Sequence, residues 1–262
     1  MAKPSKDQKR SPLDRSMPIR AAGQSLSDEI ENVKSEKLLE PFLIAAVTFV
    51  MAGMEWLRYF TNAKPSPYIF TAFFVLAIAY LFYKIPKLKS EVTQLKLGRD
   101  GERVVAHYVE ELRTYGFAVF HDVPSGDANV DHIIIGTKGI FTIETKTMQK
   151  PLRGACKVNI ANGVIYANGS ALPRNPLIQA RAQANWLKNF LAESKFDVKV
   201  WPVVAFPGWF VDQDGVKAEN AWVIEPKQLQ PKIERQSDRY SPEQVSAMVS
   251  ALRSYIRVQI EK

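Results

Sequence analysis

Two uncharged stretches constrain this chain more than anything else in it. Residues 67–83 (PYIFTAFFVLAIAYLFY) run 17 residues without a charge, and residues 41–54 run 14. As a helix, the longer stretch spans roughly 25 Å, close to the ~30 Å hydrocarbon core of a bilayer. Lys84 at its end can snorkel, and Tyr68, Tyr80 and Tyr83 suit a headgroup boundary. The shorter stretch continues through Trp56, Leu57, Tyr59 and Phe60, interrupted by Glu55 and Arg58. Those two stand at i and i+3, where they can pair, near the end of the span, where charge costs less. Only residues 61–66 join the stretches, so both cross or neither does, and the two termini share a side. Lys34 and Lys37 precede the pair, and Lys84, Lys87, Lys89, Lys96 and Arg99 follow it, against Lys64 between. The positive-inside rule then puts both termini in the cytoplasm of a two-span protein of the inner or cytoplasmic membrane. The soluble alternative is a buried helical hairpin, which so short a chain has little material to cover. A signal peptide is not expected, because no small-residue cleavage site follows the first stretch.

The rest of the chain divides around this hairpin, taken as residues 39–84. Residues 1–38 read as a basic arm, largely disordered, with Lys3, Lys6, Lys9, Arg10, Arg15 and Arg20 against Asp7 and Asp14. The arm is either a solvated tail or a means of attraction to anionic lipid or nucleic acid. The whole chain carries +8, which favours anionic neighbours without specifying a fold. A single cysteine, Cys156, excludes a disulfide framework and a multi-cysteine metal site.

Residues 91–262 have globular patterning. A helix is expected over 97–115, stopped by Gly116, then strands over 117–123, 130–135 and 140–147. A hairpin follows at 157–166 around Asn162-Gly163, and a helix over 175–190 with Pro176 in its first turn. In that helix Ile178, Ala182, Trp186 and Phe190 are expected to share the packed face. A strand over 198–206, a short strand over 222–224 and a helix over 241–260 complete an α/β or α+β domain.

The chemistry concentrates in the second hairpin. If its turn centres on Thr137-Lys138, Gly136 faces Gly139, Ile135 faces Ile140, and Asp131 stands opposite Glu144. Directly opposed residues point to one side of a sheet, and Lys146 shares that side with Glu144. Two carboxylates and an ammonium then converge. Opposed carboxylates repel unless a cation lies between them, and hard oxygens suit Mg²⁺ or Mn²⁺. A lysine beside such an ion can orient water or offset charge on a phosphate, a plausible arrangement for metal-assisted phosphodiester hydrolysis. The plainer alternative is that these are ordinary strand-edge charges.

Asp131 followed by Ile143-Glu144-Thr145-Lys146 resembles the divided D…ExK core of PD-(D/E)XK nucleases. Gly98-Arg99-Asp100-Gly101-Glu102, DHIIIG at 131–136, Gly139-Ile140-Phe141 and IETK, in that order, more closely resemble the NERD (nuclease-related domain) family, over about residues 97–210. The resemblance implies a restriction-endonuclease-like α/β fold preceded by the transmembrane hairpin. It implies metal binding by Asp131 and Glu144, catalysis by Lys146, and an acidic role for Glu102 on the first helix. Asn175-Pro176 and Gln179 resemble a later helix motif of that family, with Gln179 touching the substrate backbone or capping the site. The implied activity is Mg²⁺- or Mn²⁺-dependent cleavage of nucleic acid, with DNA favoured over RNA. The alternatives are a non-catalytic membrane-anchored nucleic-acid-binding or scaffold protein that keeps the fold, and a lipid-surface adaptor.

Other residues are expected to do plainer work. Strand alternation sends His132 to the face opposite Asp131, where it packs or hydrogen-bonds. His107 and His121 lack ligand spacing, Gly98 and Gly101 shape a helix start, and Trp201 and Trp209 belong to core or rim. Lys138, Lys146, Lys150 and Arg153 are the candidate phosphate contacts. The oligomeric state is left open.

Overall fold

The computed structural model describes residues 20–61, 67–126, 128–151, 156–212 and 221–260. The basic arm before Arg20, Lys64 of the connecting loop and Arg153 lie outside the described residues. The chain divides into a helical unit, residues 23–103 with 147–150, and a sheet unit, residues 1–22, 104–146 and 151–262.

The helical unit holds α1 (Gln24–Asn32), a π-helical turn (Val33–Lys37), α2 (Leu38–Phe60) and α3 (Pro67–Glu111) as far as Arg103. Helices α2 and α3 lie side by side and antiparallel. Lys84 Nζ meets Glu40 Oε2 at 2.9 Å, Lys37 Nζ meets Glu91 Oε1 at 2.5 Å, and the Phe49 and Phe74 rings stand 5.4 Å apart. Glu55 and Arg58 pair at 3.0 Å, as their i, i+3 spacing predicts. Both helices are long and apolar enough to cross a membrane, and their most apolar windows are only 22% and 11% buried. That is not the profile of core helices, which bury most of their apolar surface.

Helix α3 departs from the reading of the sequence. A separate helix beginning near residue 97 is expected, but one helix of 45 residues runs from Pro67 to Glu111 with Pro86 inside it. Gly98 and Gly101 therefore sit within a helix and do not shape its start. Gly101 serves a close approach instead: a Cβ there would come within 1.7 Å of Thr147 Oγ1, just beyond the IETK strand.

The sheet unit is mixed α/β. Its main sheet contains β1 (Ala118–Pro124), β2 (Asn129–Gly136), β3 (Gly139–Thr145), β7 (Val200–Ala205) and β9 (Trp222–Ile224), in the order β1-β2-β3-β7-β9. The first three strands are antiparallel neighbours, while β7 and β9 join parallel. On one face, α4 (Pro176–Glu193) and α6 (Pro242–Ile260) pack Leu187, Leu191, Met248 and Leu252 against Ile133, Ile135 and Ile140. On the other, Val105, Val109 and Leu112 pack against Ile134, Phe141 and Ile143, joined by Leu229 and Ile233 from α5 (Leu229–Glu234). Gly116, in the left-handed region at φ 83°, ends the helical segment before β1. A second sheet, in the order β6-β5-β4-β8, is formed by β4 (Lys157–Ala161), β5 (Val164–Ala167), β6 (Ser170–Ala171) and β8 (Phe210–Val211).

The packed face of α4 also differs from the expected one. Ile178 is 68% exposed, and the buried stripe runs through Leu177, Ala180, Ala184, Leu187 and Leu191. Trp186 and Phe190 form a flanking stripe, half-buried and stacked on each other at 5.9 Å. Large aromatic side chains draw the eye to the flank, but the small residues Ala180 and Ala184 let the helix approach the sheet.

Candidate active site

The β2–β3 hairpin has the two-residue turn that the sequence suggests: Gly136 pairs with Gly139, Ile135 with Ile140 and His132 with Ile143. The next pair outward is Asp131 and Glu144. The ladder ends there because the Asp131 side chain replaces it, accepting the Thr145 main-chain N–H on Oδ2 at 2.6 Å. Across β3, Glu144 lies beside Val204 of the parallel strand β7, and the Lys146 N–H extends that pairing to Ala205 O at 2.9 Å. The C-terminal end of β3 thus brings Asp131, Glu144 and Lys146 together.

Helix α4 reaches this point through a glutamine that the sequence reading missed. Asn175 caps the helix, accepting the Leu177 N–H at 3.2 Å, and Pro176 opens its first turn. Two turns on, buried Gln183 donates its amide to Glu144 Oε2 at 2.7 Å and to Asn129 O at 3.3 Å. Its Oε1 is buried with no hydrogen-bond partner. Gln179, the expected residue, is exposed one turn earlier. A polar residue inside the 180/184/187 apolar stripe was the available signal.

A third carboxylate stands in the same rank. His121 pairs with His132 and Val123 with Val130, so Asp122 lies next to Asp131 across β1 and β2. Asp122 is buried, adopts a left-handed φ of 49°, and is held by Arg20 Nη2 at 2.8 Å and Asn129 Nδ2 at 2.7 Å. This rank sets the electrostatics. Burial pushes the Asp131 carboxyl up to about 7, and the Asp122 charge adds to the rise. The Thr145 N–H and hydroxyl and the Lys146 ammonium act to lower it. Among the described residues, no group of three or more His, Cys, Asp or Glu side chains is gathered so that it could hold a metal ion.

His132 occupies the other face of β2, as alternation predicts, with its ring fully buried. Its Nδ1 meets His121 Nδ1 at 2.8 Å and its Nε2 lies 3.4 Å from Thr145 Oγ1. His121 Nε2 meets Glu110 Oε1 at 2.6 Å. Burial pushes both imidazoles down, and the His121 charge adds to the fall at His132. For Glu110, burial acts upward, but hydrogen bonds from Arg113 and His121 outweigh it and hold the carboxyl low.

The remaining candidates scatter. Glu102 lies on α3 within the helical unit, and Lys150 is exposed in the same unit. Lys138 sits on the hairpin turn at the far end of β2 and β3 from Asp131, with its ammonium bound to the main-chain oxygens of Glu234 and Gln236. It is therefore not a phosphate contact of this site. Trp209 is core, while Trp201 is half-buried under the Lys199 ammonium at 3.8 Å.

No curated protein matches the chain. A solved structure of Pyrococcus furiosus SfsA in complex with Ca²⁺ is 14% identical, covers 59% of this chain and 54% of its own, and superposes with a TM-score of 0.23. The chain thus spans about half the length of that structure, and a likeness of this level carries no argument. The family model of the nuclease-related domain (NERD) does match, over residues 97–207, a segment that contains β1, β2, β3, α4 and β7 and every residue of the carboxylate rank.

Proposed function

We propose that this protein is a membrane-anchored, metal-dependent nuclease-like enzyme that hydrolyses phosphodiester bonds of nucleic acid, with DNA favoured, on the cytoplasmic side. The observation that carries the reading is the end of the β2–β3 ladder. There Asp131 and Glu144 are opposed and the Lys146 charge acts on Asp131, inside the stretch that matches a nuclease-related domain. A mixed sheet with helices on both faces accords with a restriction-endonuclease-like fold.

The donor chemistry fits Mg²⁺ or Mn²⁺. Two carboxylates supply hard oxygens, and the orphaned Gln183 Oε1 beside Glu144 is a buried oxygen in need of a positive partner. Asp131 and Glu144 would hold the ion. When bound, it supplies Lewis-acid charge to a phosphate and lowers the pKa of a bound water. Lys146 offsets charge that develops on the phosphate and orients the attacking water. Gln183 fixes the Glu144 rotamer and ties it to the start of β2. Glu102 and Gln179 remain expectations from the family resemblance.

Membrane anchoring is supported by two adjacent apolar helices that leave most of their surface uncovered. The Lys and Arg excess flanking the hairpin supports the cytoplasmic placement. The competing reading is a non-catalytic nucleic-acid-binding or scaffold protein, favoured by the lack of a third acidic ligand among the described residues. The full chain should cleave DNA or RNA in Mg²⁺ or Mn²⁺ and stop on chelation. Salt-dependent binding without cleavage would establish the competing reading.

A further inference from the structure

Beneath the carboxylate rank, five side chains run in an unbroken line. Arg113 Nε donates to Glu110 Oε2 at 2.6 Å, Glu110 Oε1 meets His121 Nε2, His121 Nδ1 meets His132 Nδ1, and His132 Nε2 faces the Thr145 hydroxyl. Arg113 is tied back to the sheet at Val119 O, 2.7 Å away. The two imidazoles stand edge to face, 86° apart, which suits a nitrogen-to-nitrogen bond.

The chemistry of the links fixes their direction. The Glu110 carboxylate, already paired with a guanidinium, can only accept, so His121 carries its hydrogen on Nε2. In a neutral ring its Nδ1 is then an acceptor, and His132 must carry its hydrogen on Nδ1. That leaves His132 Nε2 as an acceptor, and the only atom facing it is the Thr145 hydroxyl, which donates. Burial of both rings favours this neutral arrangement. Thr145 is the residue whose main-chain N–H holds Asp131 Oδ2.

We propose that Glu110, His121, His132 and Thr145 form a one-directional hydrogen-bond relay whose role is to hold Asp131 in place. Its four members are positioning residues, and none touches substrate. The proposal rests on the reading of Asp131 as a metal ligand. With the Thr145 hydroxyl drawn towards His132, Asp131 is gripped on Oδ2 by the main chain alone, and Oδ1 is left for the ion.

The chain has three histidines, so selective ¹⁵N-histidine labelling of the full-length protein resolves each ring. Near neutral pH, His121 is expected as the neutral Nε2–H tautomer and His132 as the neutral Nδ1–H tautomer. Thr145→Val should shift the His132 Nε2 resonance and lower Mn²⁺ affinity about 10-fold, the lower end of the effect of removing an outer-shell partner. Thr145→Ser should restore both. A cationic His121, an Nε2–H tautomer at His132, or Mn²⁺ affinity unmoved by Thr145→Val but reduced by Asp131→Asn would overturn the proposal. If the wild-type protein binds no Mn²⁺, the metal reading falls. The relay then stands or falls on the two tautomers and on the Val and Ser shifts.

Discussion

Asp131 is the residue on which two forces act most openly against each other. Its ionised form is disfavoured by burial and by Asp122, so proton binding stabilises the fold, and that contribution fades as pH rises from the ordinary value of 3.8 to about 7. Asp131→Asn should therefore stabilise the metal-free protein at pH 8 by up to about 4 kcal/mol, at 1.36 kcal/mol per pKa unit. The gain should vanish as pH falls towards 4; denaturant melts across this range check it. The buried histidines act with the opposite sign. His121 and His132 are held neutral, so stability attributable to them falls as pH drops below the ordinary imidazole value of 6.5. The opposition of Asp131 and Glu144 was legible by counting outward from a Gly-Thr-Lys-Gly turn. Gln183 and Asp122 were not, because each takes its place from an element distant in sequence or from a third strand. Gln183→Leu should cost about 10- to 100-fold in Mn²⁺ affinity or cleavage, since it frees the Glu144 rotamer. Gln179→Ala, at an exposed position, should change stability by less than about 0.5 kcal/mol. A larger kinetic loss at Gln179 would mean that it reaches the substrate, as the family resemblance implies.

At the scale of elements, strands and hairpins were read closely, but the long helix was not. The apolar run ending at Tyr83 and the amphipathic run beginning near residue 97 have different periodicities, and Pro86 between them reads as a break. In the structure one helix carries both, because its first part buries little while Val105 and Val109 fill the core of the sheet unit. Gly101 in that helix makes a sharp prediction. Gly101→Ala improves helix propensity by about 1 kcal/mol, yet it places a methyl group on Thr147 Oγ1. Overpacking should win, with a net loss of about 1–3 kcal/mol that Thr147→Gly relieves. A thermal melt of the two variants decides it, and stabilisation by Gly101→Ala alone would contradict the close approach. The α4 stripe teaches a related lesson: aromatics marked the wrong face, whereas Leu177, Ala180, Ala184, Leu187 and Leu191 follow helical spacing equally well.

For the whole molecule, the proposal joins a membrane hairpin to a hydrolytic site. Reporters fused before Lys34 and after Lys262 should both mark the cytoplasmic face; opposite faces would rule out a two-span hairpin. The central claim is that Asp131 and Glu144 hold a divalent ion while Lys146 acts on the phosphate beside it. The most direct test measures Mn²⁺ affinity and Mg²⁺-dependent cleavage on the same preparations of the full chain, comparing wild type with Asp131→Asn, Glu144→Gln and Lys146→Ala. The account predicts that both carboxylate variants lose metal and cleavage together. It predicts that Lys146→Ala loses cleavage while binding Mn²⁺ nearly as wild type does, because an ammonium is no ligand. Cleavage at the wild-type rate by the carboxylate variants would contradict it.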